Sequence, residues 1–294
     1  MAEPTGTEAF GPTVTVGWLA AHLGEDGLVI LDATLFLGDR TETELFPVRP
    51  GLPAWRRARI PGSRHVALES DLSDPAASYH FSVADDARLA AALTAAGVTD
   101  GARIVCYDAA GGMWAARLWW TLRDLGLPVA VLIGGFEAWT AAGAPVATGD
   151  PGRPEEPAGS AGSAGPPPRL RPGRSGWVGR AEVIEIMHGE RPGTLVCALG
   201  ADQFAGRGPT RYDRPGHIPG SRNVPAGSPA ELAEAVLGPD RDQPLVLYCG
   251  AGISASALAL DLVTAGYRDL RIYDGSLEDW TSSPELPLAT GDAP

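Results

Sequence analysis

Leu245-Val246-Leu247-Tyr248 is an apolar run that ends on Cys249. It is followed by Gly250-Ala251-Gly252-Ile253-Ser254-Ala255, a turn of small residues that opens an amphipathic segment. The order reads as strand, cysteine, loop, helix. A thiolate at that point faces the main-chain N–H groups of a glycine-containing loop and the positive end of a helix, and both favour its charged form. Cys249 is therefore the candidate nucleophile. Cys106 and Cys197 each sit inside an apolar run and read as small buried hydrophobes.

The three cysteines are an odd number without metal-ligand spacing, so neither a disulfide framework nor a metal site is expected, and no cofactor is called for. A reducing cytoplasm fits, and it keeps Cys249 as a thiol. Met1-Ala2-Glu3-Pro4-Thr5-Gly6-Thr7-Glu8 lacks a basic start and an apolar core, and no run elsewhere is long enough to span a bilayer, so no membrane partner is expected. Twenty-three Lys plus Arg against 36 Asp plus Glu leave a formal charge of −13, which repels nucleic acid and anionic lipid. An anionic small molecule must then be drawn in by local arginines and loop dipoles.

At 294 residues the chain favours two domains. The stretch 149–176 is rich in Pro, Gly, Ser and Ala and reads as a linker between an N-terminal domain, 1–148, and a C-terminal domain, 177–294. The two halves repeat each other. Ile60-Pro61-Gly62-Ser63-Arg64-His65-Val66 recurs as Ile218-Pro219-Gly220-Ser221-Arg222-Asn223-Val224. Ile104-Val105-Cys106-Tyr107-Asp108 parallels Leu245-Val246-Leu247-Tyr248-Cys249, and Gly134-Gly135-Phe136-Glu137-Ala138-Trp139 parallels Gly275-Ser276-Leu277-Glu278-Asp279-Trp280.

β-rich runs at 28–33, 103–107 and 129–133 alternate with helical patterns at 85–96 and 113–125, and helices are predicted to end at Gly97, Gly126 and Gly266. The Trp-rich stretch 114–120 reads as a packed helix face. This alternation predicts an α/β fold of two tandem units, each a parallel sheet with helices on both faces. In such sheets chemistry sits at the carboxyl ends of strands, where Cys249 and its counterpart Asp108 both fall.

The tandem repeat, Gly216-His217-Ile218-Pro219-Gly220-Ser221 and a lone strand-end cysteine in the second half together resemble the rhodanese-type sulfurtransferases. The resemblance covers nearly the whole chain outside the linker, and it implies a catalytically silent first domain. The loop from Cys249 to Ala255 is most similar to the mercaptopyruvate sulfurtransferase form. Thiosulfate-preferring relatives usually carry cations just after the cysteine, and this loop has none, so mercaptopyruvate is the favoured sulfur donor.

The implied reaction is a double displacement. Cys249 takes the donor's outer sulfur as a persulfide and passes it to a thiol, cyanide or thioredoxin-like acceptor. The N–H groups from Gly250 to Ala255 then hold the terminal sulfur anion, Gly250 and Gly252 permit the curvature, and Ser254 adds a hydroxyl and caps the following helix.

The resemblance also implies substrate arginines. Gln203 stands where one is expected, Arg211 is the nearest match to the second, and Arg59 replaces a histidine of the first-domain motif and restores positive charge near the site. His217 reads as a structural tether of its turn, and Asp108 as a carboxylate filling a degenerate anion nest. Two alternatives within the fold are a thiosulfate:cyanide sulfurtransferase and a non-catalytic sulfur carrier or binding module. A phosphatase of related architecture needs an arginine six residues after its cysteine, and that position is Ala255.

Overall fold

Val129–Leu132 and Leu245–Tyr248 are apolar throughout and buried along their whole length. A strand can be so only inside a parallel sheet covered on both faces. The computed structural model describes residues 10–42, 44–149 and 165–293. Of the expected linker, 150–164 lie outside the described residues, as does the N-terminal stretch read at Met1 to Glu8.

The first half runs β1 (Thr13–Val14), α1 (Val16–Ala21), β2 (Leu28–Asp32), β3 (Leu35–Leu37), β4 (Val48–Pro50), α2 (Leu52–Arg57), β5 (Arg64–His65), α3 (Asp86–Ala95), β6 (Arg103–Tyr107), α4 (Met113–Asp124), β7 (Val129–Leu132) and α5 (Gly135–Ala141). The second runs β8 (Trp177–Val178), α6 (Arg180–Met187), β9 (Thr194–Cys197), α7 (Ala201–Phe204), β10 (Arg222–Asn223), α8 (Ala230–Leu237), β11 (Leu245–Tyr248), α9 (Ile253–Thr264), β12 (Leu270–Tyr273) and α10 (Ser276–Thr281).

The sheet orders are β1-β7-β6-β2-β5 and β8-β12-β11-β9-β10, parallel throughout, so the two halves share one topology. Among the described residues the antiparallel pair β3–β4 is found in the first half alone. The predicted strands and helices agree with these elements to within a residue at each end. Asp85 caps α3 through the Arg88 N–H, and Gly97, Gly126 and Gly266 follow their helices at positive φ.

The repeated motifs have a shared mechanical role. In the first half the Tyr107 hydroxyl, at the end of the central strand, meets the Ile60 N–H at 3.3 Å and the Ser63 hydroxyl at 2.9 Å. In the second, Tyr248 Oη accepts from the Ile218 N–H at 3.0 Å and donates to Ser221 Oγ at 2.8 Å. Ile-Pro-Gly-Ser is thus a turn pinned to the strand that delivers Asp108 or Cys249. Likewise Trp139 and Trp280 donate their indole N–H groups to the Pro145 and Pro287 carbonyls, anchoring the chain after each last helix.

The halves meet through α4 and α9, and one apolar cluster runs through both, including Trp114, Leu118, Leu258 and Leu262. Arg117 sits in this seam, buried. Its Nη2 donates to Asp274 Oδ1 and to the Phe81 carbonyl, each at 2.6 Å, and its guanidinium lies 4.2 Å over the Trp177 ring. Removing one partner of a buried pair strands the other charge. Arg117→Met should therefore cost about 3–5 kcal/mol, read as a shift in the denaturant midpoint. The double variant Arg117→Met, Asp274→Leu should recover most of that loss.

Candidate active site

β11 lies mid-sheet between β9 and β12, and Cys249 is the first residue beyond its carboxyl end. Cys249 is 2% exposed. Its N–H donates to Ser276 Oγ at 3.1 Å, and its carbonyl accepts from the Leu277 N–H at 3.0 Å. Gly250 is held in turn by the Glu278 N–H at 2.9 Å. The start of α10 therefore fixes the backbone from which the thiol projects. Ser276 adopts φ +49°, a left-handed conformation that its counterpart Gly135 takes at +56° without side-chain strain. The serine gains a hydroxyl that bridges Cys249 and the Tyr273 carbonyl.

The first half shows how this loop geometry holds an acidic group. Asp108 Oδ1 accepts the Ala110 and Gly112 N–H groups, and Oδ2 accepts that of Ala115, all at 2.8 Å. These donors belong to the loop and the first turn of α4. Burial pushes the Asp108 carboxyl above the usual carboxylate range, and the three amides pull against that rise. In both halves the loop ends on a left-handed glycine, Gly112 at φ +87° and Gly252 at +77°, before its helix starts. The Cys249 loop is one residue shorter.

Gly252 cannot carry a side chain, since a Cβ there would lie 2.7 Å from Arg117 Nη1 and 3.1 Å from the Asp274 carbonyl oxygen. The seam between the halves thus presses directly on the Cys249 loop. Phe46, between β3 and β4, and Tyr212 stand on the other side, 3.7 and 3.8 Å from where a Gly250 Cβ would be.

Ala251, Ile253 and Ala255 are buried in the apolar cluster shared by the halves. Ser254 does not cap α9; Gly252 occupies the N-cap without a side-chain bond, and Ser254 Oγ points to Met113 Sδ at 3.8 Å. The cap expectation placed the helix start too late. Arg211 reaches the seam, half-buried beside Tyr212, with Nη1 3.5 Å from the Leu45 carbonyl. Arg59 lies elsewhere: its guanidinium donates to the Gly149 carbonyl at 2.7 Å and covers the Trp55 ring at 4.7 Å, and its backbone pairs with Ala147. The structure does not bring it to Cys249.

Gln203 sits half-buried on α7. His217 is fully buried, stacked 3.6 Å on Phe204 with Nδ1 2.8 Å from the Phe204 carbonyl, which makes it a tether. Burial pushes the Cys197 thiol up to about 12 and Cys106 higher still. Sequence reasoning missed Phe46, Tyr212, Ser276 and the pair His80–Glu278. Of these, Ser276 and Glu278 lay in a quoted repeat, where Ser276 opposite a glycine was the available signal.

A groove of 840 Å³ opens at the seam beside Asp108, between Met113, Ile133, Ala226 and Leu258, rather than beside Cys249. Among the described residues no three His, Cys, Asp or Glu side chains gather as a metal-ligand set, and no helix is long and apolar enough to cross a membrane.

The rhodanese-like domain model matches residues 15–142 and 206–283. A probable 3-mercaptopyruvate sulfurtransferase of Pseudomonas aeruginosa is 31% identical over 95% of this chain and 98% of its own length. The mitochondrial thiosulfate/3-mercaptopyruvate sulfurtransferase 1 of Arabidopsis thaliana is 28% identical over 94% of this chain and 78% of its own. Among solved structures, SseA from Escherichia coli superposes with a TM-score of 0.72 at 23% identity, covering 90% of this chain and 98% of that one.

Replacing Asp108 by alanine leaves three main-chain donors without their acceptor. The variant should lose about 1–3 kcal/mol of stability, measured as a shift in the urea midpoint.

Proposed function

The chain belongs to the rhodanese-like domain family, and from that membership we infer that it is a sulfurtransferase in which Cys249 carries the sulfur. One observation carries the assignment to Cys249. The residue occupies the strand-end position whose counterpart in the first half, Asp108, has its carboxyl oxygens held by three main-chain donors. Cys249 attacks the outer sulfur of a small donor and keeps it as a persulfide, with the loop from Gly250 to Ala255 stabilising the terminal anion. A thiol, cyanide or a thioredoxin-like protein then removes that sulfur. The first half supplies the wall of the site and no nucleophile, since its equivalent position is a carboxylate. Free thiols at Cys106, Cys197 and Cys249 suit a cytoplasmic setting.

Mercaptopyruvate is the preferred donor. The loop after Cys249 contains no cation to meet the doubly charged thiosulfate, whereas the single carboxylate of mercaptopyruvate needs one partner. Arg211 is that partner: its contact with the Leu45 carbonyl is long, so the guanidinium keeps donors for an anion entering the seam.

Mass spectrometry after mixing with mercaptopyruvate should find one added sulfur on Cys249, discharged by cyanide or a thiol, and none in Cys249→Ser. No gain with either mercaptopyruvate or thiosulfate would favour a non-catalytic module instead. Arg211→Ala should raise KM for mercaptopyruvate about tenfold, the loss of one charge-assisted bond. A clear preference for thiosulfate in paired kinetics would reject the donor assignment.

A further inference from the structure

We propose that the Tyr212 hydroxyl donates a hydrogen bond to the terminal sulfur of the Cys249 persulfide, and so favours the sulfur-loaded protein over the free thiol. The proposal rests on the reading of Cys249 as the sulfur carrier. Tyr212 is 2% exposed, and among the described residues its Oη, itself buried, has no hydrogen-bond partner. The chain has six tyrosines, and the other five each place the hydroxyl on a partner, Tyr248 on Ser221 and Tyr273 on Asp279 among them. Tyr212 is the exception.

A buried hydroxyl without an acceptor destabilises a fold, and a phenylalanine would fill the same space without that penalty. The placement of the ring points to its use. Cδ1 and Cε1 stand 3.8 Å from where a Gly250 Cβ would be, so the ring lies in van der Waals contact with the nucleophile's loop. The first half fixes it there: Arg40 Nη1 donates to the Thr210 carbonyl at 3.0 Å and to the Tyr212 carbonyl at 3.4 Å. Thr210 Oγ1 donates to the same Tyr212 carbonyl at 2.9 Å. The backbone is held from two sides and the hydroxyl from none.

Burial pushes the hydroxyl well above its ordinary pKa, and the nearby Cys197 and Cys249 sulfurs push the same way. Tyr212 therefore stays a donor, close to two sulfurs. Cys197 is a poor acceptor, since its thiol is wholly buried and burial pushes it up to about 12. The other ionisable groups around the loop have their own partners. His80 Nδ1 lies 2.5 Å from Glu278 Oε1, Asp274 accepts from Arg117 at 2.6 Å, and Arg211 is the partner of the donor's carboxylate. Neither thiol is itself the acceptor of the hydroxyl. A persulfide extends Cys249 by one S–S bond, about 2.05 Å, and carries its negative charge on the outer atom. That atom is the acceptor; the proton stays on Tyr212, and the contact makes and breaks no covalent bond.

The test compares Tyr212→Phe with the intact protein, each as the free thiol and after loading with mercaptopyruvate or thiosulfate. The rate at which iodoacetamide alkylates Cys249 is followed against pH by mass spectrometry, which separates the two forms by one sulfur. Because the hydroxyl stabilises the anion, its loss should raise the apparent pKa of the persulfide by about 1, a tenfold effect of one charge-assisted bond. That of the free thiol should move far less. The urea midpoint of the unloaded variant should be no lower than that of the intact protein, since the substitution removes an unpaired donor and keeps the ring. A persulfide pKa that stays put, a thiol pKa that moves equally, or an unloaded variant of clearly lower stability would each overturn the proposal. If the intact protein gains no sulfur from either donor, the reading of Cys249 itself fails, and that failure is seen before any variant is made.

Discussion

A negative charge placed at the buried end of a β-strand must be met by main-chain dipoles, because an acidic chain with few cations near that point has little else to offer. The loop between a central strand and the following helix supplies them. Asp108 shows the arrangement, with three amides on one carboxylate. Two left-handed glycines, Gly112 and Gly252, turn both loops into their helices, and the strand-end residue is a carboxyl in one half and a thiol in the other. A carboxylate fills the cradle permanently. In the second half a thiol, Cys249, stands at the same strand end.

That cradle depends on what presses against it. Arg117 and Asp274 meet at the seam, and Gly252 has no room for a side chain because they do. The buried charges are compensated by each other and by the Phe81 carbonyl, so the seam is specific in register as well as apolar. From the far side of the loop, Ser276 accepts a strained backbone in order to hold the Cys249 N–H. The positioning of one thiol thus draws on the turn pinned by Tyr248, the start of α10, and a helix of the other half.

Much of this was legible in the residues. The apolar runs, the duplicated Ile-Pro-Gly-Ser and the strand-end cysteine each carry a local signal, and the sheets, their helices and the carboxyl-end location follow from it. Asp108 in an anion nest was readable for the same reason, since the loop's donors come from its own neighbours in sequence. Local signals fail where partners are remote. His80 and Glu278 are 198 residues apart, and no spacing rule joins them. The Trp-rich face of α4 was read as packing, which is right for its tryptophans and silent on Arg117 among them. Arg59 occupies the place of a motif histidine, yet its long side chain folds back over Trp55 to the Gly149 carbonyl.

Among the described residues the hairpin β3–β4 has no counterpart in the second half, and it brings Phe46 down onto Gly250. Duplication made two similar units, but this addition made them unequal and interdependent. A lone second half would bear its thiol beneath an uncovered wall, open to water and to any passing oxidant. The half that ends its central strand on a carboxyl thus roofs the half that ends its own on a thiol, and the seam is shaped by both.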